Sequence, residues 1–389
     1  MKIILAPDSF KGTLEAEQIC RIESREIKKL CPDAEITCIP MADGGEGITN
    51  AYLSILGGEK RWVNIKDPIK GFLFNGIPAE DDKGRRIEGY HKAYYGILPD
   101  GTAIMEMSQA AGLPFAGEKK DPLHANSYGV GEMLLDAKKH SVNKVLLGIG
   151  GSATNDCGIG MAAALGYKFL DARENEIEPL ALNLGKISEI IPPEEPLTLD
   201  VSVACDVTNP LLGPDGSTRT FGPQKGATPE MIEILESGMT SYADVLEKFC
   251  GKEIKNVPGS GAAGGLGAML LGMLNARLLP GAEMLLDAAG FDAELENADL
   301  VITGEGRIDW QSAYGKVPGT IAAHCAKANV PCIAICGSRG KDAESLLSKG
   351  ITAIHTTGEH RESFDEIVKH AAEDLENKAR EVFSKLLKE

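Results

Sequence analysis

The segment Val145–Gly160 constrains this chain more than any other. It begins as a short apolar run, Lys144-Val-Leu-Leu147, of a length that suits a buried strand. It then breaks into Gly148, Gly150 and Gly151 with Ser152, Thr154, Asn155 and Asp156, and resumes as the helix-compatible Met161–Leu165. A strand, a glycine-rich turn and a helix start together make an anion site, because glycine permits close approach and the first helical amides face outward. Ser152, Thr154 and Asn155 could add hydrogen bonds to phosphate oxygens. The same residues would also make a tight turn capped by Asn155 or Asp156.

The pattern recurs, and its recurrence sets the fold class. Lys2–Ala6 is a strand-like run that stops at Pro7-Asp-Ser-Phe-Lys-Gly12, and a helix capped by Thr13 is expected to reach about Leu30. Ala34–Ile39 is the next strand, followed by Pro40-Met-Ala-Asp-Gly-Gly-Glu-Gly47 and a helix through Leu56. Near the other end, Asp299–Thr303 stops at Gly304–Asp309, Val330–Ile335 stops at Cys336–Gly340, and Ile351–His355 precedes a charged C-terminal helix. Alternation of this kind predicts a parallel sheet with functional loops at the strand C-termini.

The middle reads differently. Trp62–Ile65, Phe72–Ile77, Arg86–Tyr90 and Thr102–Met107 are short strand candidates of an antiparallel or mixed sheet. His124–Lys139 and Pro229–Cys250 read as helices, Leu197–Ala204 as a strand, Asp171–Glu195 as a surface excursion, and the chain after Pro258–Gly267 as helical through Ala289. The expected organisation is a doubly wound parallel-sheet α/β domain built from residues 1–65 and 285–389, with a second α/β domain of mixed sheet, 66–284, inserted between them.

A chain of 389 residues accommodates two domains, and its 43% hydrophobic content suits a globular enzyme. The net charge of −17 argues against non-specific binding to nucleic acid or anionic membranes, so an anionic ligand must be held by local amides, cations or a metal. The start lacks the features of a signal peptide and no apolar run approaches a membrane span. The nine cysteines include no C-x-x-C pair, and several lie in apolar runs, which suits a cytoplasmic protein.

The loops after the proposed parallel strands carry Asp8, Ser9 and Lys11; Asp43 and Glu46; Glu305, Arg307, Asp309 and Gln311; Ser338 and Arg339. The inserted domain adds Gly150–Asp156 and Asp206–Asn209. Lining one cleft, these would equip phosphoryl transfer: carboxylates hold Mg²⁺ and position a hydroxyl, cations offset phosphoryl charge, and amides cradle the donor. Singly, each carboxylate could equally cap a turn. A rival reading is an NAD-dependent oxidoreductase of a small hydroxy acid, because Gly148-Ile-Gly-Gly-Ser-Ala153 matches the dinucleotide fingerprint with Asp171 downstream. Asn155, Asp156 and Gly158, however, fall where that fingerprint wants a helix under way. No P-loop motif and no protein-kinase motif set is present.

Taken in order, Ala6–Gly12, Pro40–Gly47, Gly148–Asp156, Ala204–Gly213, Phe221–Thr228, Gly259–Gly267 and Gly304–Asp309 with Gln311 and Gly315-Lys316 resemble the type I glycerate kinase family over essentially the whole chain. Cys157, Ile159, Trp310 and Ser312 depart from the family's usual residues and leave the polar positions intact. The resemblance implies a flavodoxin-like domain of both termini and an inserted α/β domain containing a mixed-sheet barrel. It implies a kinase that uses ATP and Mg²⁺ to convert D-glycerate, typically to 2-phosphoglycerate. On that footing Asp43 or Asp206 is expected to position or deprotonate the hydroxyl, with Asp8 and Lys11 in the catalytic group. Glu305 is the expected Mg²⁺ ligand, and Lys11 and Arg307 offset charge. Ser9, Asn209, Asp309 and Gln311 are expected to contact substrate or nucleotide, and Gly150, Gly151, Ser152, Thr154 and Asn155 to cradle the ATP phosphates. The residues leave open a 2- or 3-phospho product and the oligomeric state.

Overall fold

The computed structural model describes residues 1–69, 76–116, 120–313, 315–358, 361 and 363–387. The strand candidate Phe72–Ile77 lies outside them except for its end, where a strand Ile77–Glu80 begins. The chain divides into two units of mixed α/β structure, one of Met1–Asp43, Asn50–Gly57 and Pro280–Glu389, the other of Gly44–Thr49 and Gly58–Leu279. The first boundary falls before the expected residue 65 because the strand Glu59–Lys66 pairs along its whole length with Arg86–Ile97. The second falls before residue 285 because Arg277–Leu279 adds a parallel strand to the inserted unit, where continuous helix was expected.

The terminal unit holds a five-stranded parallel sheet in the order Glu35–Cys38, Lys2–Pro7, Leu300–Gly304, Cys332–Cys336, Ile351–Thr356. The inner strands read as unbroken apolar runs because a parallel sheet is covered on both faces. Ile3 through Ala6 and Val301 through Ile302 are fully buried, with Ile4 beside Val301 in register. Ile3, Leu5, Ile302, Ile333 and Ile335 share a core with Ile19 and Ile27 of the helix Ala16–Leu30 and with Leu375 and Phe383 of the helix Phe364–Leu386. The first helix starts later than Thr13. The Thr13 amide and hydroxyl both donate to the Phe10 carbonyl, so Thr13 closes a turn, and the Glu15 amide instead donates to Gln18 Oε1 at 2.9 Å.

The inserted unit is organised on a mixed sheet. Arg277–Leu279, Asp200–Ala204, Lys144–Gly148 and Ala103–Glu106 run parallel; Arg86–Ile97 is antiparallel to the last of these, and Glu59–Lys66 and Ile77–Glu80 are antiparallel to it. Among the described residues no pairing joins the outermost strands, which the implied barrel would need. The helix Pro229–Cys250 follows its sequence signals: the Thr228 hydroxyl accepts from the Met231 amide, proline opens the first turn, and Gly251 ends it at φ 66°. Tyr242 from that helix meets the Phe169 ring edge-on inside a core shared with Leu134, Leu147, Val203 and Met269. The expected surface excursion is anchored by a short antiparallel pair, Lys168–Leu170 with Glu189–Ile191. Among the described residues no helix is long and apolar enough to cross a membrane.

Candidate active site

In the terminal unit the chain leaves the strand Lys2–Pro7 at Asp8, and its amide still donates to the Gly304 carbonyl of the neighbouring strand. The Asp8 side chain is thereby fixed beneath the loop and buried, where its Oδ1 accepts the Ser9 amide at 2.7 Å. Lys11 Nζ bonds Asp43 Oδ2 at 2.8 Å. Glu305 follows the strand Leu300–Gly304 and is buried, its Oε1 without a hydrogen-bond partner. Gly304 and Gly306 let this loop lie against its neighbours. A Cβ at Gly304 would stand 1.8 Å from the Ile335 carbonyl oxygen, and one at Gly306 3.3 Å from the Lys11 amide.

The electrostatics separate these carboxyls. Burial, then the nearby Asp43, pushes Asp8 well above the carboxylate range, against the pull of Lys11. Burial also opposes charge on Asp43, but the field and hydrogen bond of Lys11, and then Lys316, outweigh it and hold Asp43 below its ordinary value. Burial raises Glu305 while Lys316 and a hydrogen bond with Ser312 act against it. Lys11 is raised in turn, since Asp43 and Asp8 overcome its own desolvation. The result is one ionised carboxylate backed by a lysine, beside two that hold protons more tightly. Such splitting is how one site provides both a proton acceptor and a hydrogen-bond donor.

Arg307, Asp309 and Gln311 occupy the adjoining loop. Arg307–Ile308 pairs with Ser338–Arg339, while Asp309 Oδ1 accepts the Gln311 amide at 2.9 Å and the Asp309 amide donates to Ser312 Oγ at 3.0 Å. Asp309 is therefore engaged as a turn cap, and Arg307 and Gln311 are left exposed.

In the inserted unit the glycine-rich turn is built otherwise than its pattern suggests. Gly148 and Gly150 are required by close packing: a Cβ would stand 2.8 Å from the Gly44 oxygen and 2.7 Å from Gly45 Cα, respectively. Gly151 has φ +73° and is exposed, and a Cβ there would meet only Ser108 Cβ at 3.8 Å. The helix begins only at Ile159 and spans six residues. Its first amides are taken by the chain's own carboxylate, Gly158 N to Asp156 Oδ1 at 3.1 Å and Gly160 N to Asp156 Oδ2 at 3.2 Å. Ser127 donates both its amide and its hydroxyl to Asp156 Oδ2 at 2.8 Å. The helix terminus is thus capped by the chain itself, and Ser152, Thr154 and Asn155 lie upstream of it, all buried.

Lys225 donates to Ser152 Oγ at 2.9 Å and to the Thr154 carbonyl at 2.6 Å, while Asn155 Nδ2 donates to Thr218 Oγ1 at 2.9 Å. A buried polar cluster of Ser152, Thr154, Asn155, Ser217, Thr218 and Lys225 results. The last three were not singled out from sequence, although Lys225 lies within the motif Phe221–Thr228; a lysine between polar turn residues reads as solvated. Gly264 seats the next segment against this loop at φ +69°, where any Cβ would stand 2.1 Å from the Thr154 carbonyl oxygen. Asp206 is half-buried, and Asn209 Nδ2 closes its own loop onto the Asp215 carbonyl at 2.7 Å.

The late start of the helix also counts against dinucleotide binding, which needs the helix to open within the fingerprint. Asp171, the expected ribose partner, instead accepts the Arg173 amide at 2.8 Å and the Asn175 amide at 2.9 Å in a tight turn. No group of three or more His, Cys, Asp or Glu among the described residues is arranged to hold a metal by itself.

The model of the glycerate kinase family matches residues 3–387. The glycerate kinase of Halalkalibacterium halodurans is 40% identical over 388 residues, covering 98% of this chain and 97% of that protein. The glycerate 2-kinase of Escherichia coli K12 is 38% identical over 391 residues, covering 99% and 98%. A crystal structure of a Salmonella typhimurium LT2 protein provisionally assigned as glycerate kinase 2 superposes with a TM-score of 0.80 at 37% identity, covering 99% of this chain and 98% of that one.

Proposed function

The chain belongs to the glycerate kinase family, and on that premise we propose that it transfers the γ-phosphoryl group of ATP to D-glycerate, giving 2-phosphoglycerate. The observation that carries the residue-level reading is the Lys11–Asp43 pair standing among the buried Asp8 and Glu305. Asp43, kept ionised by Lys11, accepts the proton of the attacking hydroxyl. The hydroxyl oxygen bonds to the γ-phosphorus, the bond from that phosphorus to the bridging oxygen of ADP breaks, and ADP leaves. Asp8, which retains its proton more readily, donates a hydrogen bond and orients the acceptor. Arg307 and Lys11 offset the substrate carboxylate and the phosphoryl charge, and Ser9 and Gln311 supply polar contacts.

Glu305 is the residue suited to Mg²⁺, because its buried Oε1 lacks a partner that a cation would provide. Mg²⁺ needs only one or two carboxylates when substrate phosphates complete its shell, which agrees with the lack of a self-contained metal cage. When bound, the ion offsets charge on the phosphates. Ser152, Thr154 and Asn155, with Gly150 and Gly151, are assigned to the ATP phosphates. Asp206 remains the second candidate for the proton acceptor, and Asn209 a contact residue.

The order of the five parallel strands, with the chain's first strand second from one edge, supports the flavodoxin-like assignment of the terminal unit. The nine free cysteines support a cytoplasmic location. A coupled ADP-release assay with Mg²⁺ and D-glycerate, hydroxy-acid analogues and sugars tests the activity. D-glycerate should be turned over fastest; ADP release with a sugar and none with glycerate would refute the reading.

A further inference from the structure

Lys225 is buried and plays no part in the chemistry described above. It ends the short turn Pro223–Lys225, and Gly226 fixes the turn at φ +90°, where a Cβ would stand 2.7 Å from Lys120 Cβ. Its amine spends two hydrogen bonds, on Ser152 Oγ and the Thr154 carbonyl. Among the described residues no third acceptor and no carboxylate within ion-pair distance meets it. A neutral amine is satisfied by two acceptors; an ammonium brings a third N–H and a buried charge with nothing to balance them. Around it Thr154 Oγ1, Asn155 Oδ1 and Ser217 Oγ are also buried without a hydrogen-bond partner. One buried cluster therefore has spare donors and acceptors and an unbalanced cation, which is what a bound anion would use.

We propose that Lys225 is the charge-compensating residue of a polyphosphate site at Ser152–Asn155, holding that loop in place and taking up a proton when the anion binds. The proposal rests on the assignment of this loop to the ATP phosphates. Burial pushes the amine down to about 7 against the pull of Asp156, so near neutral pH it stands between its two forms and an anion favours the charged one. Three charged groups on the surrounding elements have partners of their own. Lys120 Nζ bonds the Gln224 carbonyl at 3.1 Å, Arg219 pairs with Glu233, and Asp156 caps the helix Ile159–Ala164.

The test is calorimetric titration of the full chain with ADP and Mg²⁺, in buffers of different ionisation enthalpy, at about pH 6 and about pH 8. Wild type should take up about one proton more per nucleotide at the higher pH than Lys225→Arg, whose guanidinium never deprotonates. Lys225→Arg should keep much of the affinity. Lys225→Met should also lose the uptake and bind ADP about tenfold or more weakly, with the KM for glycerate within about twofold of wild type. Equal proton uptake in wild type and Lys225→Arg would overturn the proposal. So would Lys225→Met binding ADP normally, or both KM values rising together as in a loosened fold. If Lys225→Met does not melt cooperatively, the contrast between wild type and Lys225→Arg still decides. Failure of wild type to bind ADP at all would instead strike the nucleotide reading, and this proposal with it.

Discussion

Asp8 and Asp43 are the same side chain driven in opposite directions, and the difference is Lys11. It contacts Asp43 at 2.8 Å, whereas burial and the field of Asp43 dominate at Asp8. Asp43→Asn should therefore lower kcat by about a hundredfold or more, in the range of a lost general base, with the KM for ATP little changed. Steady-state kinetics beside a melting curve checks this; near-normal kcat would move the role to Asp206. Glu305→Gln should need higher Mg²⁺ for half-maximal rate, read from a Mg²⁺ titration. The glycines of the turn should separate as well. Gly150→Ala forces a Cβ to 2.7 Å from Gly45 Cα and should lower Tm the more, while Gly151→Ala meets only Ser108 Cβ at 3.8 Å, carries the strain of φ +73° with a smaller loss of Tm, and should raise the KM for ATP. At this scale the candidate polar residues were legible because each follows an apolar run. Lys225 was not, because burial of a lysine in a polar turn is decided by Ser152 and Thr154, some seventy residues away in sequence.

Among the elements, the helices Ala16–Leu30 and Phe364–Leu386 are joined through Glu26, whose carboxylate is fully covered and receives Lys29, Arg380 and Arg25. Burial opposes its charge, but those hydrogen bonds outweigh it and bring Glu26 down to about 2 from the ordinary 4.5. A depressed carboxyl lends stability that is complete above its unfolded value and lost as pH falls through its folded one. The Tm of wild type should exceed that of Glu26→Gln by the most near neutral pH, and the gap should close between about pH 5 and about pH 2. A gap that does not change with pH would contradict the pairing. Helix Pro229–Cys250 was legible to the residue, since Thr228, Pro229 and Gly251 all signal locally. The start of the first helix was not, because Thr13 is drawn into a turn by the Phe10 carbonyl. Nor was the course of Gly259–Gly267, where Ala263, Gly264 and Gly265 break the helix in left-handed conformations to fit the loop at Thr154–Cys157. Such packing demands leave no local pattern.

For the whole molecule, the terminal unit depends on both chain ends, since Leu300–Gly304 lies between Lys2–Pro7 and Cys332–Cys336. Removing residues 280–389 takes away three of the five strands and exposes an apolar edge. The product should be aggregation-prone and bind a hydrophobic dye, and a cooperative, dye-silent unfolding transition for Met1–Asp43 would contradict this. The alternation of apolar runs and glycine-rich loops was enough to read the parallel sheet, while the sheet pairing of Glu59–Lys66 and Arg277–Leu279 was not legible because it is set by partners far along the chain. The central claim is the reaction itself. Phosphorus NMR of the full chain incubated with ATP, Mg²⁺ and D-glycerate tests it most directly: the account predicts stoichiometric ADP and 2-phosphoglycerate signals, and unchanged ATP, or a clean 3-phosphoglycerate signal, would contradict it.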